Sequence, residues 1–159
     1  MEDLLKLTKR IISDNNFMTL ATVTPEGNPH STPVYYCFDD KYNFFWYSKK
    51  DTIHSQNIRN NPNVFATIFG GGNSDEGKGV YLVGIASELS KEELPHALET
   101  YAKRSSKTEE SRRQHTIIDD FLNESPIRVY KLVPKKVYVS NEPTVWRGKW
   151  LDSKSEVSL

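Results

Sequence analysis

The stretch FMTLATVTPEGNPHSTPVYYCFDDKYNFFWYS, residues 17–48, decides the fold class of this chain. Residues 17–24 and 30–38 are rich in Val, Thr, Tyr and Phe, the residue types that favour strands. The sequence PEGNP between them has strong turn chemistry, and DDKYN leads into a third strand at residues 44–48. Short connections of this kind join antiparallel neighbours, so the stretch predicts a three-stranded meander.

The rest of the chain adds strands and helices to this meander. Helical spacing of apolar residues predicts helices at residues 3–14, 52–60, 90–102 and 117–122. Further strands are predicted at residues 63–69, 79–89, 127–133 and 136–140, with the last two meeting at Pro134. Ser90 and Glu93 form a capping box for the third helix. Residues 79–89 are apolar on both alternating faces, which predicts a strand that is buried on both sides.

These elements predict a mainly β fold with flanking helices. Consecutive antiparallel strands with short turns favour a small barrel with helices packed at its ends, and they disfavour a doubly wound parallel sheet. A chain of 159 residues has the size of one domain, which we assign to residues 1–151. Residues 152–159 are polar, and we expect them to form a disordered tail.

Composition limits the classes of partner. The chain has 21 Lys and Arg residues and 21 Asp and Glu residues, so no overall field attracts nucleic acid or an anionic membrane. The acidic start and the interspersed charges resemble neither a secretory signal nor a membrane span. The single cysteine, Cys37, allows no intramolecular disulfide, and His30, His96 and His115 lack metal-ligand spacing. We expect a cytoplasmic protein without a metal site.

The glycine-rich stretch GGGNSDEGKGVYLVG, residues 70–84, resembles a phosphate-binding P-loop only in its spelling. A P-loop has Ser or Thr after its lysine and then a helix, whereas Gly79 and a predicted strand follow Lys78. Asp75 and Glu76 would also repel phosphates. We interpret the stretch as a connection between strands, with the rim of a ligand site as the alternative.

A better anion site lies in YSKKDTIHSQN, residues 47–57, at a predicted strand-to-helix junction. Unsatisfied amides and the positive end of the helix dipole favour a phosphate there, and lysines and hydroxyl groups add to this attraction. In the alternative interpretation, Lys49 and Lys50 are solvated turn residues. His54 and Asn57 would then lie on the helix face that touches the sheet.

Three segments together resemble the pyridoxamine 5'-phosphate oxidase-like split-barrel family: residues 17–48, TIHSQNIRNNPNVFATIF and GVYLVGIASELS. The resemblance covers residues 17–90 and weakens after them. It implies a split β-barrel that forms a homodimer, with one FMN in each of two clefts between the subunits. It also implies that the strand at residues 32–35 offers backbone groups to the flavin ring.

The resemblance assigns Tyr47, Ser48, Thr52 and His54 to the cofactor as well, and the chemistry of the junction and of the cluster WRGKW adds further candidates. Residues at the strand-to-helix junction would face the ribityl phosphate. The full set of expected cofactor contacts is Thr32, Pro33, Val34, Tyr35, Tyr47, Ser48, Lys49, Lys50, Thr52, His54, Asn57, Trp146 and Arg147. The last two belong to the cluster WRGKW, which we expect either to cross the dimer interface and close the partner's cleft or to pack on its own barrel.

Several positions depart from the well-characterised oxidases of this family. Ile53 and His54 stand where those enzymes tend to carry an Arg-Lys pair, and Cys37 replaces a lysine near pyridoxal phosphate. Their C-terminal Arg-x-His is absent from residues 144–152. Tyr101 and Arg104 resemble a pair that holds the substrate phosphate, but their spacing is one residue shorter.

We therefore expect an FMN-dependent oxidoreductase that moves electrons between a reduced nicotinamide or similar donor and a small acceptor. The flavin performs the redox chemistry, so no side chain need act as acid or base. One alternative is a true pyridoxamine 5'-phosphate oxidase. Another is a non-catalytic module for haem, deazaflavin or FMN, in which His54 or His30 would be tested as the axial ligand of haem. An empty dimeric scaffold is the third alternative.

Overall fold

The computed structural model describes residues 3–69, 77–105 and 117–159, which form a mainly antiparallel β structure with three α-helices. The strands are β1 (Phe17–Val23), β2 (Pro29–Tyr35), β3 (Cys37–Phe38), β4 (Phe44–Lys49), β5 (Asn63–Phe69), β6 (Gly79–Glu88), β7 (Ile127–Trp146) and β8 (Lys149–Val157). The helices are α1 (Leu4–Asp14), α2 (Ile53–Asn60) and α3 (Leu94–Ser105), with a 3₁₀ helix at Ile118–Phe121. The α-helices and the 3₁₀ helix lie at the predicted places.

The strand order is β2-β1-β5-β6-β7-β4-β3, with β8 added to β7. The hairpins β1–β2 and β3–β4 are present, so the predicted second strand pairs with both of its expected neighbours, but it is divided into β2 and β3. Only Tyr36 separates β2 from β3, which lie at opposite ends of the order. The sheet therefore curves round on itself, which is consistent with a split barrel.

Tyr36 is the reason why the second predicted strand divides. Its side chain is fully buried, and its hydroxyl group donates to the Ile12 carbonyl at 2.7 Å. Its amide donates to the Asn16 carbonyl at 3.0 Å, outside the β1–β2 ladder. These two bonds to the α1–β1 region bend the chain, so that residues 37–38 pair with β4 instead of continuing beside β1.

Two apolar clusters fill the interior. The larger occupies the barrel and includes Leu7, Ile11 and Ile12, which lie on the buried face of α1. The smaller lies beneath α3 and includes Cys37, Phe45 and Tyr101. The second cluster attaches α3 and the 3₁₀ helix to β4, so the residues at the end of β4 lie between the barrel and α3.

The prediction that β6 is buried on both faces is wrong for the single chain. Its inner residues are buried, but Val83 on the other face is 37% exposed. Phe65, opposite Val83 on β5, is 39% exposed, and Phe69 and Phe17 are about 60% exposed. We call these four residues the outer apolar face. The sequence identifies these residues as apolar, but in a single chain the face that they form is exposed to solvent.

Pro134 does not end a strand, contrary to prediction. β7 runs through it for 20 residues, because β6 has a register shift between Val83 and Gly84 at this level. Gly84 is required there, since a Cβ atom would lie 2.4 Å from the Val133 carbonyl oxygen. The pairing of β4 with β7 stops at Leu132, so the missing proline N–H interrupts no bond on that side.

The expected disordered tail is also wrong: residues 149–157 form β8, which pairs with the end of β7. Arg147 and Gly148 form the turn between them with positive φ angles of 49° and 77°. Cross-strand pairing orders residues 152–157 although Val157 is the one apolar residue among them. Among the described helices, none has the length and apolar character needed to cross a membrane.

Candidate functional site

The candidate site is the junction between β4 and α2. Thr52 is the N-cap of α2, and its hydroxyl oxygen accepts the Ser55 amide at 3.4 Å. The Ser55 hydroxyl donates to the Lys49 carbonyl at 2.9 Å. The short polar residues of the sequence thus close the turn and start the helix, because their side chains bond to backbone groups that the turn leaves unpaired.

His54 lies inside this junction with only 7% of its surface exposed. Its Nε2 atom lies 2.9 Å from the Ser48 hydroxyl and 3.2 Å from the Thr52 hydroxyl. Burial lowers the pKa of His54 below its ordinary value, and the charge of nearby His30 lowers it further. The imidazole is therefore neutral at neutral pH and connects two hydroxyl groups at the helix start.

The two lysines of the junction lie on a fixed turn. Lys49 is exposed and Lys50 is half-buried. The Lys50 amide donates to the Pro126 carbonyl at 2.8 Å, and the Lys50 carbonyl accepts from the Arg59 guanidinium. Both backbone groups of Lys50 are thus engaged, so the ammonium groups belong to a turn whose position is fixed relative to α2.

Strand β2 borders the junction, because α2 packs against β1, β2 and β6. Within the described part of the chain, β2 pairs only with β1, so its other edge has no strand partner. Val34 points into the core, whereas Pro33 is exposed and Thr32 and Tyr35 are half-buried. Backbone groups along this edge can contact a ligand, as the sequence analysis expected for residues 32–35.

An aromatic wall adjoins the lysine turn. The Tyr47 ring, 39% exposed, lies 5.0 Å from the Tyr101 ring and 6.1 Å from the Phe121 ring, between centroids. The Tyr101 hydroxyl donates to the Tyr35 carbonyl at 2.9 Å, which connects the wall to β2. Burial raises the pKa of Tyr47, so the phenol stays protonated at neutral pH. A planar ligand can stack on such a wall.

Other expected contacts serve the fold. Asn57 is 2% exposed, and its side-chain amide donates to the Thr22 hydroxyl at 3.0 Å, away from the helix opening. Cys37 is fully buried, and burial raises the pKa of its thiol to about 12. A neutral, inaccessible thiol does not perform the role of a lysine beside pyridoxal phosphate.

Arg104 is also engaged by the protein itself. One Nη atom donates to the carbonyls of Ile12, Ser13 and Asn15 at the end of α1, at distances of 2.5–3.4 Å. The guanidinium also lies 4.8 Å from the Phe38 ring centroid. The residue pair that resembles a substrate-phosphate clamp, Tyr101 and Arg104, therefore consists of one buried hydroxyl and one helix-capping cation.

Trp146 and Arg147 are far from the junction within one chain. Ser48 pairs with Arg128 near the start of β7, and Trp146 is the last residue of that strand. Twenty residues of strand span on the order of 60 Å. Trp146 is 56% exposed, with the Arg147 guanidinium 4.6 Å from its ring centroid, and Trp150 is 73% exposed. Neither tryptophan packs on its own barrel.

The remaining histidines differ in environment. His30 Nδ1 is buried without a hydrogen-bond partner, and His96 Nε2 contacts the Asp39 carboxylate at 3.0 Å. His115 and residues 70–76 of the glycine-rich stretch lie outside the described residues. No group of three potential metal ligands occurs within residues 3–69, 77–105 and 117–159.

Sequence reasoning missed three charged residues next to the junction: Arg59, Glu88 and Arg128. The Glu88 carboxylate contacts the Arg59 guanidinium at 3.3 Å and the Arg128 guanidinium at 3.1 Å. The three residues come from α2, β6 and β7, so no local spacing relates them. In the sequence, only the polar residues at the end of β6 indicated that this end of the strand lies outside the core.

Comparisons with known proteins agree with this fold. The family model described as pyridoxamine 5'-phosphate oxidase matches residues 4–139. A search of curated protein sequences finds no match. A solved structure of a protein of unknown function from Agrobacterium tumefaciens has a TM-score of 0.66 and 20% identity, covering 85% of this chain and 55% of that one. This chain thus spans little more than half of that relative.

Two further solved structures of similar fold are described with a ligand. A heme-binding protein from Mycobacterium smegmatis has a TM-score of 0.69 and 18% identity, covering 96% of this chain and 58% of that one. PhzG from Burkholderia lata, in complex with tetrahydrophenazine-1-carboxylic acid, has a TM-score of 0.58 and 14% identity, covering 96% and 92%. Identities this low establish similarity of fold alone.

Proposed function

This chain belongs to the pyridoxamine 5'-phosphate oxidase family, and we propose that it is an FMN-binding oxidoreductase whose phosphate site is the start of α2. The observation that carries the proposal is the group of hydroxyl and imidazole donors around that helix end. The Ser48 and Thr52 hydroxyl oxygens each lie within 3.2 Å of the His54 Nε2 atom. Lys49 and Lys50 add positive charge on the preceding turn.

The chemistry of this donor set suits a phosphate monoester. The first amides of an α-helix have no partner inside the helix, and the helix dipole favours an anion there. Ser48 and Thr52 can donate hydroxyl hydrogen bonds, and His54 can donate one from Nε2 when its hydrogen is on that atom. A phosphate dianion also favours the protonated imidazole, so His54 can take up a proton as the ligand binds.

The remaining surface suits an isoalloxazine ring. Residues Thr32 to Tyr35 present the free edge of β2, whose amide and carbonyl groups can bond to the polar edge of the ring. Tyr47 supplies an exposed aromatic face beside the lysine turn. When bound, FMN supplies hydride and electron transfer between a reduced nicotinamide or similar donor and a small acceptor. The protein binds and orients it, and we assign no catalytic side chain.

A homodimer completes the proposal. The outer apolar face consists of Phe17, Phe65, Phe69 and Val83, all at least 37% exposed in one chain. Because exposed apolar patches mark sites of protein–protein interaction, we propose that a second copy covers this face. The β7–β8 hairpin extends from the barrel with Trp146 and Arg147 at its tip, and we propose that it reaches the cleft of the partner.

The first test is the absorption spectrum of the purified protein, with the mass of any released cofactor and the mass of the assembly. We expect two-banded flavin absorption, an FMN mass, one FMN per chain and a dimer. A protein that remains colourless after incubation with FMN contradicts the proposed function. Free riboflavin serves as the matched ligand without phosphate, and we expect weaker binding for it.

Haem binding is the second candidate function, and it is favoured by one observation. His30 Nδ1 is buried without a partner, and its charge acts on His54, which burial keeps neutral. Two imidazole side chains near a free strand edge suit an axial ligand of iron. A sharp haem band in the same spectrum, abolished by His54→Ala or His30→Ala, supports this function and contradicts the first.

A further inference from the structure

The structure contains a charged cluster that no motif revealed. The Glu88 carboxylate at the end of β6 lies between two guanidinium groups, with Arg59 on Oε2 at 3.3 Å and Arg128 on Oε1 at 3.1 Å. The Tyr130 hydroxyl donates to Oε2 at 3.4 Å. One carboxylate thus holds an arginine of α2 and an arginine of β7 in fixed positions. We call Arg59, Glu88 and Arg128 the Glu88 cluster.

Each arginine of the cluster uses its other nitrogen atoms to fix the lysine turn. Arg59 donates through Nη2 to the Lys50 carbonyl. Arg128 donates to the carbonyls of Ser125, Ile127 and Asn123 at 2.7–2.8 Å. These bonds fix the loop that presents the Pro126 carbonyl, which accepts the Lys50 amide at 2.8 Å. The carbonyl and the amide of Lys50 are therefore both held by way of Glu88.

We propose that Glu88 is a positioning residue: through Arg59 and Arg128 it fixes the Lys49–Lys50 turn, and thereby sets the affinity of the α2 start for the phosphate of a flavin nucleotide. The proposal rests on the proposed function for the ligand, but its structural half concerns the protein alone. The proposal gives Glu88 no direct contact with the phosphate. It acts through two arginines and the backbone of Lys50.

The charge of Glu88 makes a direct role unfavourable. A carboxylate close to an anion site repels the anion, so its presence there weakens phosphate binding through space. The contact with Arg59 adds little stability, because Glu88 and Arg59 are 31% and 44% exposed and solvent screens such pairs, whereas Arg128 is only 14% exposed. Holding the turn in place is the function that explains a carboxylate at this position.

The sign of one measurement separates positioning from electrostatics. In Glu88→Gln the negative charge is lost, so a purely electrostatic role predicts tighter binding of FMN. Positioning predicts the opposite, because the turn is released. We expect FMN to bind about fivefold more weakly and riboflavin to bind equally well, by titration of both ligands. Unchanged or tighter binding of FMN would overturn the proposal.

Two further variants sharpen this test. Glu93→Gln removes a carboxylate from a different ion pair, in which Glu93 lies 2.5 Å from Lys131 of β7. It should leave the ratio of FMN to riboflavin affinity unchanged. Arg59→Lys keeps the charge but removes the two-pronged contact with Glu88 and the Lys50 carbonyl. We expect this variant to weaken FMN binding as Glu88→Gln does. Wild-type affinity for FMN in Arg59→Lys would contradict positioning.

Hydrogen exchange of the flavin-free protein tests the structural half independently. Glu88→Gln should accelerate exchange at residues 49–52, whereas Glu93→Gln should not. Unchanged exchange there overturns the proposal whether or not the protein binds FMN. If the wild-type protein binds no FMN but Glu88→Gln still accelerates exchange, the proposed function fails and Glu88 remains the residue that positions the turn.

Discussion

The start of α2 and the end of α3 both carry residues that sequence alone associates with phosphate, but the structure uses them differently. At the start of α2, Ser48, Thr52 and His54 bond to one another, and Lys49 is exposed. At the end of α3, Arg104 donates to backbone carbonyls of the α1 terminus. A cationic side chain therefore indicates a ligand site only when it does not already bond to other groups of the protein.

The helix dipoles explain this difference. Arg104 meets the C-terminal end of α1, where unpaired carbonyls and the negative end of the dipole attract a cation. The junction residues surround the N-terminal end of α2, where unpaired amides attract an anion. The first arrangement stabilises the fold without a ligand. The second still has donors for an anion.

The largest expected effect follows from Arg104→Met. The variant loses the charged hydrogen bonds to the end of α1 and the contact with the Phe38 ring, so we expect the free energy of unfolding to fall by about 2–3 kcal/mol. Denaturant titration measures this loss. Lys103→Met is the matched control, because Lys103 is an exposed neighbour whose described ion pair is with Glu99. We expect this variant to leave stability unchanged. An Arg104 variant that keeps its stability but loses affinity for pyridoxal 5'-phosphate would contradict the structural role.

The next effect is expected at the other helix end. Lys50→Glu reverses a charge beside the proposed phosphate site, so FMN should bind on the order of thirtyfold more weakly at low salt. Riboflavin lacks the phosphate and should lose much less. Titration of both ligands at two salt concentrations measures the difference. Lys91→Glu changes the net charge equally at an exposed position outside residues 47–57 and should leave both affinities unchanged. Equal losses for FMN and riboflavin in Lys50→Glu would place the phosphate elsewhere.

The smallest effect concerns pH and the buried imidazole. The pKa of His54 is lowered in the folded protein, so the unfolded chain takes up a proton first as the pH falls below about 6.5. Stability from this group is present above that pH and is lost below it, with a slope of at most about 1.4 kcal/mol per pH unit. Denaturant titration of wild type and His54→Asn should show this difference below pH 6.5. Around pH 8, the difference in the free energy of unfolding between the two proteins should not change with pH. If both proteins show the same pH slope below pH 6.5, His54 is not the source of that slope.

Much of the site was predictable from sequence because its order is local. Ser48, Lys49, Lys50, Thr52 and His54 are close in the chain, and the turn and the N-cap that bring them together are properties of short polar residues. The helix α1 and the hairpin β1–β2 were equally predictable. Hydrophobic spacing and turn chemistry act within about a dozen residues.

Two of the incorrect predictions depend on contacts between distant segments. Tyr36 divides a strand because its hydroxyl group reaches the Ile12 carbonyl. Pro134 stays inside β7 because Gly84 on another strand leaves room. The polar segment at residues 149–157 is ordered because β7 extends far enough to pair with it. No short window of sequence contains both partners of the first two contacts, whereas the third is a hairpin closed by Arg147 and Gly148.

The sequence by itself determined the family, the antiparallel β class and the polar strand-to-helix junction, because residue type and short-range spacing encode them. The tertiary structure decided which of the nominated groups remain available to a ligand. Arg104, Asn57 and Cys37 are engaged or buried, while the start of α2 lies beside the free edge of β2. It also assembled Glu88 with two arginines from other elements. Burial and hydrogen-bond partners are properties of the folded chain, because segments far apart in sequence supply them.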